Sequence, residues 1–148
     1  MKIYTSYFYQ IRFFKPYQIP FSTALYNPGW FGERIGKNGV IYGLRATPFI
    51  PGPFCRNDCH GREHCLLKPG NCLFLEHYRK QIYSLNFNRV MYKLTNIVKQ
   101  VQADLGFTEE PEIMFIVYEA PDNPCSERGV IQDWFRDNGV DIQEYRHD

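Results

Sequence analysis

Acidic residues are nearly missing from the first 103 positions, where only Glu33, Asp58, Glu63 and Glu76 oppose 14 lysines and arginines. Residues 104–148 reverse this balance with twelve acids against three basic residues, so the whole chain nets only +1. A near-neutral total argues against a strongly cationic nucleic-acid binder, yet a basic half can still present a face to phosphate. The alternative is that the two halves pack together and their charges interleave. Long apolar runs are lacking too. The longest, Ile113 to Tyr118, is far too short to cross a bilayer. Lys2, Gln10, Arg12 and Lys15 break up the first thirty residues, so no secretory leader is expected. These absences predict a cytoplasmic protein without a membrane partner.

What is present fits an ordinary globular chain: 148 residues, 44% hydrophobic and 22% charged. Its length predicts one domain, residues 1–148. Lys2 to Tyr7 reads as a first strand and Ile19 to Leu25 as a second, with Val40 to Ala46 as a further possible strand. Asn27-Pro28-Gly29, Asn38-Gly39 and Pro48, Pro51 and Pro53 mark irregular chain between them. From Leu73 the period changes. Leu75, Tyr78, Ile82 and Leu85 share one helical face, and Val90, Met91, Leu94, Ile97, Val98, Val101 and Leu105 share another. Asn88 is the expected N-cap of this second helix and Gly106 its terminator.

Ile113 to Tyr118 is apolar at every position, which predicts a strand covered on both faces. A Pro-containing loop from Glu119 to Cys125 follows, then a helix starting near Ser126. Asn138-Gly139 ends that helix, and Val140, Ile142 and Tyr145 alternate as a closing strand. The expected fold is therefore α/β: a small central sheet with a C-terminal strand-loop-helix-strand unit and flanking helices.

Four of five cysteines lie within eighteen residues, as Cys55, Cys59, Cys65 and Cys72, in a turn-rich insertion spanning 48–72. Closely spaced thiolates on a chain free to fold back can enclose a tetrahedral metal. Structural zinc is the leading assignment. An iron–sulfur cluster, disulfides or free thiols, and sets including His60 or His64 are the alternatives. Disulfides do not suit a chain expected in the cytoplasm.

Cys125 stands apart, at the expected opening of a helix, where unpaired N–H groups attract anions and favour a thiolate. Glu119 sits where the central strand ends, the usual ligand edge of an open α/β sheet. Glu119 and Cys125 are thus the candidate catalytic pair. Ser126 and Arg128, together with Thr5, Ser6, Tyr7 and Arg12 from the first strand and its sequel, are the candidate ligand-binding residues. The favoured function is binding of a nucleotide or another phosphate-bearing ligand, with or without enzymatic processing of it. The rival is a non-enzymatic, zinc-containing module that binds nucleic acid or inhibits a protein. It would use Arg34, Lys37, Arg45, Arg56 and Arg62 with Trp30, Phe31 and Tyr42.

The C-terminal segment resembles the signature of the domain of unknown function 488 family: an apolar strand ending in Glu, a short Pro-containing loop, Cys-His-Arg opening a helix, and a Gly–apolar close. Glu119, Cys125, Trp134 and Gly139-Val140-Asp141-Ile142 carry the likeness. At the other end, Ile3 to Phe8, Arg12 and Pro28-Gly29-Trp30-Phe31 are similar as well. The resemblance implies that the Glu–Cys loop is functional. Two departures limit it. The segment reads Cys125-Ser126-Glu127-Arg128, without the histidine, and Val117-Tyr118 replace the stretch holding the family's extra cysteine.

Overall fold

The computed structural model describes residues 1–32, 34–53, 72–123 and 126–147. Four strands, β1 (Ile3–Tyr7), β2 (Gln18–Ser22), β3 (Glu112–Val117) and β4 (Gln143–Glu144), form one sheet in the order β2-β3-β1-β4. Every pairing is parallel, with Ile3 opposite Ile113 and Tyr7 opposite Val117. The helices are α1 (Leu73–Tyr83), α2 (Phe87–Leu105) and α3 (Arg128–Asp137). The α/β architecture is as the sequence predicts. Among the described residues no helix is long and apolar enough to cross a membrane.

β3 explains itself. Ile113 to Val117 are all fully buried, and the pleat sends alternate residues to opposite sides. Ile113, Phe115 and Val117 join the main core with Tyr78 and Ile82 of α1, Leu94 and Val98 of α2, and Ile131 and Phe135 of α3. Met114 and Ile116 join a second core with Phe8, Ile11 and Phe14 of a 3-10 segment (Phe8–Phe13 and its cap), plus Phe31 and Val40. Helices therefore cover one face of the sheet, and 3-10 turns with irregular chain cover the other.

The sides taken by the three helices and by the Phe8–Phe13 segment fit the handedness of crossovers, although Phe31 and Val40 of the β2→β3 connection pack on the second face. The β2→β3 and β3→β4 connections travel one way across the sheet, and β1→β2 travels the other way. Right-handed crossovers running in opposite directions must lie on opposite faces.

Local details differ from the sequence reading in four places. Asn86, not Asn88, caps α2: its side chain accepts the Arg89 N–H at 3.0 Å, while Asn88 already lies inside the first turn. Gly106 ends α2 as expected, with a φ of 76°. The Val40–Ala46 stretch makes only isolated bridges, Ser22 to Arg45 and Ile35 to Ile41. α3 begins at Arg128 rather than near Ser126, whose N–H donates to the Asn123 carbonyl. The closing strand shrinks to two residues, and β1 separates it from β3.

Cys55, Cys59, Cys65 and Cys125 lie outside the described residues, as does most of the cysteine-rich insertion. Cys72 is described. It occupies the N-cap position of α1 and is 3% exposed, with its side chain in the main core.

Candidate functional site

The chain leaves β1 toward the 3-10 face and leaves β3 toward the helical face, although these strands are neighbours. Where adjacent parallel strands send their connections to opposite faces, a crevice opens beyond their carboxyl ends. Here that point lies between Tyr7, paired with Val117, and Glu119, two residues farther on.

Arg128, the first residue of α3, organises the surroundings although only 6% of it is exposed. Its Nε donates to Glu144 Oε1 at 2.6 Å and its Nη2 to the Glu119 carbonyl at 2.8 Å. The guanidinium carbon also lies 5.9 Å from the Tyr7 ring centre. Thr5 Oγ1 donates to the same Glu144 oxygen at 2.8 Å and accepts from Gln132 Nε2 at 2.7 Å. Ser126 Oγ donates to Glu119 Oε2 at 3.2 Å and accepts the Arg128 N–H at 3.2 Å. One strand end, one loop and one helix start are thereby tied into a single polar cluster. Among the described residues, two buried atoms in it find no hydrogen-bond partner, Arg128 Nη1 and Glu144 Oε2. Such orphans are rare in folded proteins and mark places where a further polar group fits.

Glu127 lies beneath this cluster, 4% exposed. Burial, and then the negative charge of Glu119, push its carboxyl up to about 8, against the weaker opposing pulls of Thr23 and Arg128. The hydrogen bonding agrees. Thr23 Oγ1 is 3.0 Å from the Ile116 carbonyl and 3.3 Å from Glu127 Oε1, and its single proton can serve only one of them. A protonated Glu127 satisfies both contacts, donating to Thr23 while Thr23 donates to Ile116. Burial also raises Glu144, partly offset by Arg128 and Thr5.

The structure gathers Thr5, Tyr7, Glu119, Ser126 and Arg128 at one edge, though not all in the roles expected. The Ser6 hydroxyl is fully buried and donates to the Tyr145 carbonyl at 2.9 Å, so it fastens the chain after β4. The Ser126 N–H, expected to cradle an anion, is used within its own turn. Arg12 is exposed, lies 4.0 Å over the Tyr9 ring and donates to the Tyr9 carbonyl.

Glu127, Glu144, Thr23 and Gln132 were not singled out by the sequence. Glu127 stands where the family signature has a basic position, and that charge reversal was the available signal. The role of Glu144 depends on β4 pairing with β1, which no local pattern reveals.

Among the described residues no group of three or more His, Cys, Asp or Glu side chains is placed to hold a metal ion. Compared with protein-family models, curated proteins and solved structures, the chain gives no match in any of the three.

Proposed function

We propose that the crevice between the carboxyl ends of β1 and β3 binds a nucleotide or a related phosphate-bearing sugar, with Glu119 as the group that meets the ligand. The observation that supports this most is the divergence of the two neighbouring connections at Tyr7 and Glu119, because ligands of open parallel sheets bind beyond the carboxyl ends of strands at such a point. The local charge refines the reading. Arg128 is paired with Glu144, and burial holds Glu127 in its protonated form near neutral pH. A carboxylate accepts from hydroxyl or amino donors, so the sugar or base belongs against Glu119 and the phosphate farther out. Tyr7 offers an aromatic face beside it.

Glu119 is half-buried and accessible, whereas Glu127 is sealed below it. In a substitution at the sugar carbon, Glu119 would accept the proton of the attacking water as the water oxygen bonds to that carbon and the base leaves with the electron pair of the broken C–N bond. Glu127 would set the charge of the pair by holding its own proton. Cys125, close in sequence, is the second candidate to contact the ligand, and the likeness to the domain of unknown function 488 family is part of this proposal.

Calorimetric titration with adenosine 5′-monophosphate, the other nucleoside monophosphates and ribose 5-phosphate provides the test. Binding by at least one, weakened about tenfold or more in Glu119→Gln, is the expected result. Failure of all of them to bind, or unchanged affinity in Glu119→Gln, would reject the assignment.

A further inference from the structure

A second hollow, of about 670 Å³, lies between the start of α2 and the Arg45–Phe49 segment. Its volume is in the range that holds a small organic ligand, about 300–1,000 Å³. Phe49, Leu85 and Leu94 contribute apolar walls, and Ile97 is 38% exposed there although it falls on the apolar stripe of α2.

Three cations line the same hollow: Arg45, Arg89 and Lys93. No acid is among its lining residues, and among the described residues no carboxylate pairs with any of the three. Arg89 and Lys93 stand four apart on α2, a spacing at which like charges repel. Arg45 is held by the Ala24 and Leu25 carbonyls, each 3.3 Å from its Nη2. Among the described residues, then, three positive charges without a carboxylate partner stand around an apolar depression.

We infer that this hollow is a binding site for an amphipathic anion, a molecule with an apolar body and a single carboxylate or phosphate head. The body displaces water from the apolar walls, and the head relieves the mutual repulsion of Arg45, Arg89 and Lys93. A neutral molecule of the same shape gains only the first contribution, and a small hydrophilic anion only the second. The site is independent of the Glu119 crevice, and its residues include none of those assigned there.

Octanoate, octyl phosphate and 1-octanol, titrated into the full chain by calorimetry, separate these contributions. At least one anion should bind about tenfold more tightly than 1-octanol, and the tighter of the two identifies the head group. The exposed double substitution Arg89→Gln/Lys93→Gln should weaken that anion about tenfold and leave 1-octanol unchanged, and added salt should act in the same direction. Absence of binding by both anions would overturn the inference. So would equal affinity for 1-octanol, or a double variant that binds the anion as the native chain does.

Discussion

Glu127 is buried beside another acid, and its consequences for stability have a definite sign. Its carboxyl rises from an ordinary 4.5 to about 8 on folding, so the folded chain holds the proton more tightly than the unfolded one. Stability from this group is complete below pH 4.5 and is lost as pH rises through 8. Glu127→Gln mimics the protonated form. It should match the native chain near pH 5 and exceed it by about 1 kcal/mol or more at pH 9, as denaturant midpoints will show. A native chain with pH-independent midpoints across this window would contradict the assignment. Arg128 differs in kind. Its ion pair with Glu144 is almost fully enclosed, so Arg128→Ala leaves a buried carboxylate unmatched and should cost about 3–5 kcal/mol. Glu119→Gln should shift the melting temperature by no more than a few degrees, because the Glu119 side chain is half-exposed and outside the core. This contrast separates a residue that holds the cluster together from one proposed to meet the ligand.

At the scale of elements, the helices and the central strand were legible because their signals are periodic. The Val90, Leu94, Val98 and Val101 stripe and the Ile113–Val117 run are burial patterns written directly into the chain. Ends were less legible, since a cap is chosen by which side chain reaches an amide. Asn86→Ala should therefore lower stability by about 1 kcal/mol and Asn88→Ala should change it little, measured by thermal unfolding. Short edge strands were the hardest. β4 has two residues, and its position beside β1 is fixed by the Thr5–Glu144–Arg128 contacts, which join residues far apart in sequence. The Val40–Ala46 stretch has strand-like residues but pairs only through isolated bridges, with Ser22 at the end of β2 and with Ile35. For the cysteine insertion, the zinc proposal stands on spacing. Elemental analysis should find about one zinc per chain, reduced in Cys59→Ser, and metal-free protein with unchanged melting would refute it.

The whole molecule turns on the order β2-β3-β1-β4. The sequence pointed to a ligand edge after Ile113–Tyr118, because a fully apolar strand must end where the sheet meets its loops. It did not reveal that β1 and β3 are the neighbours whose connections part company, which is the topological reason for proposing a ligand there. The acid cluster there was also hidden, because Glu127 and Glu144 look like surface acids until α3 and β4 fold them inward.

The uneven charge along the chain admits a competing nucleic-acid face, but of its aromatic candidates only Trp30 is exposed: Tyr42 is half-buried and Phe31 is buried in the second core, out of reach of a base. If that face operates, oligonucleotide binding will fall steeply with salt. With a net charge of +1, weak or no binding is expected.

The account rests on ligand entering between Tyr7 and Glu119, and backbone amide shifts recorded during titration with adenosine 5′-monophosphate or ribose 5-phosphate test that most directly. Shifts concentrated at residues 5–9, 117–123 and 126–129 are the predicted result. Saturable shifts confined to the Arg45–Arg89–Lys93 hollow or to the 3-10 face, with the β1–β3 edge unmoved, would contradict it.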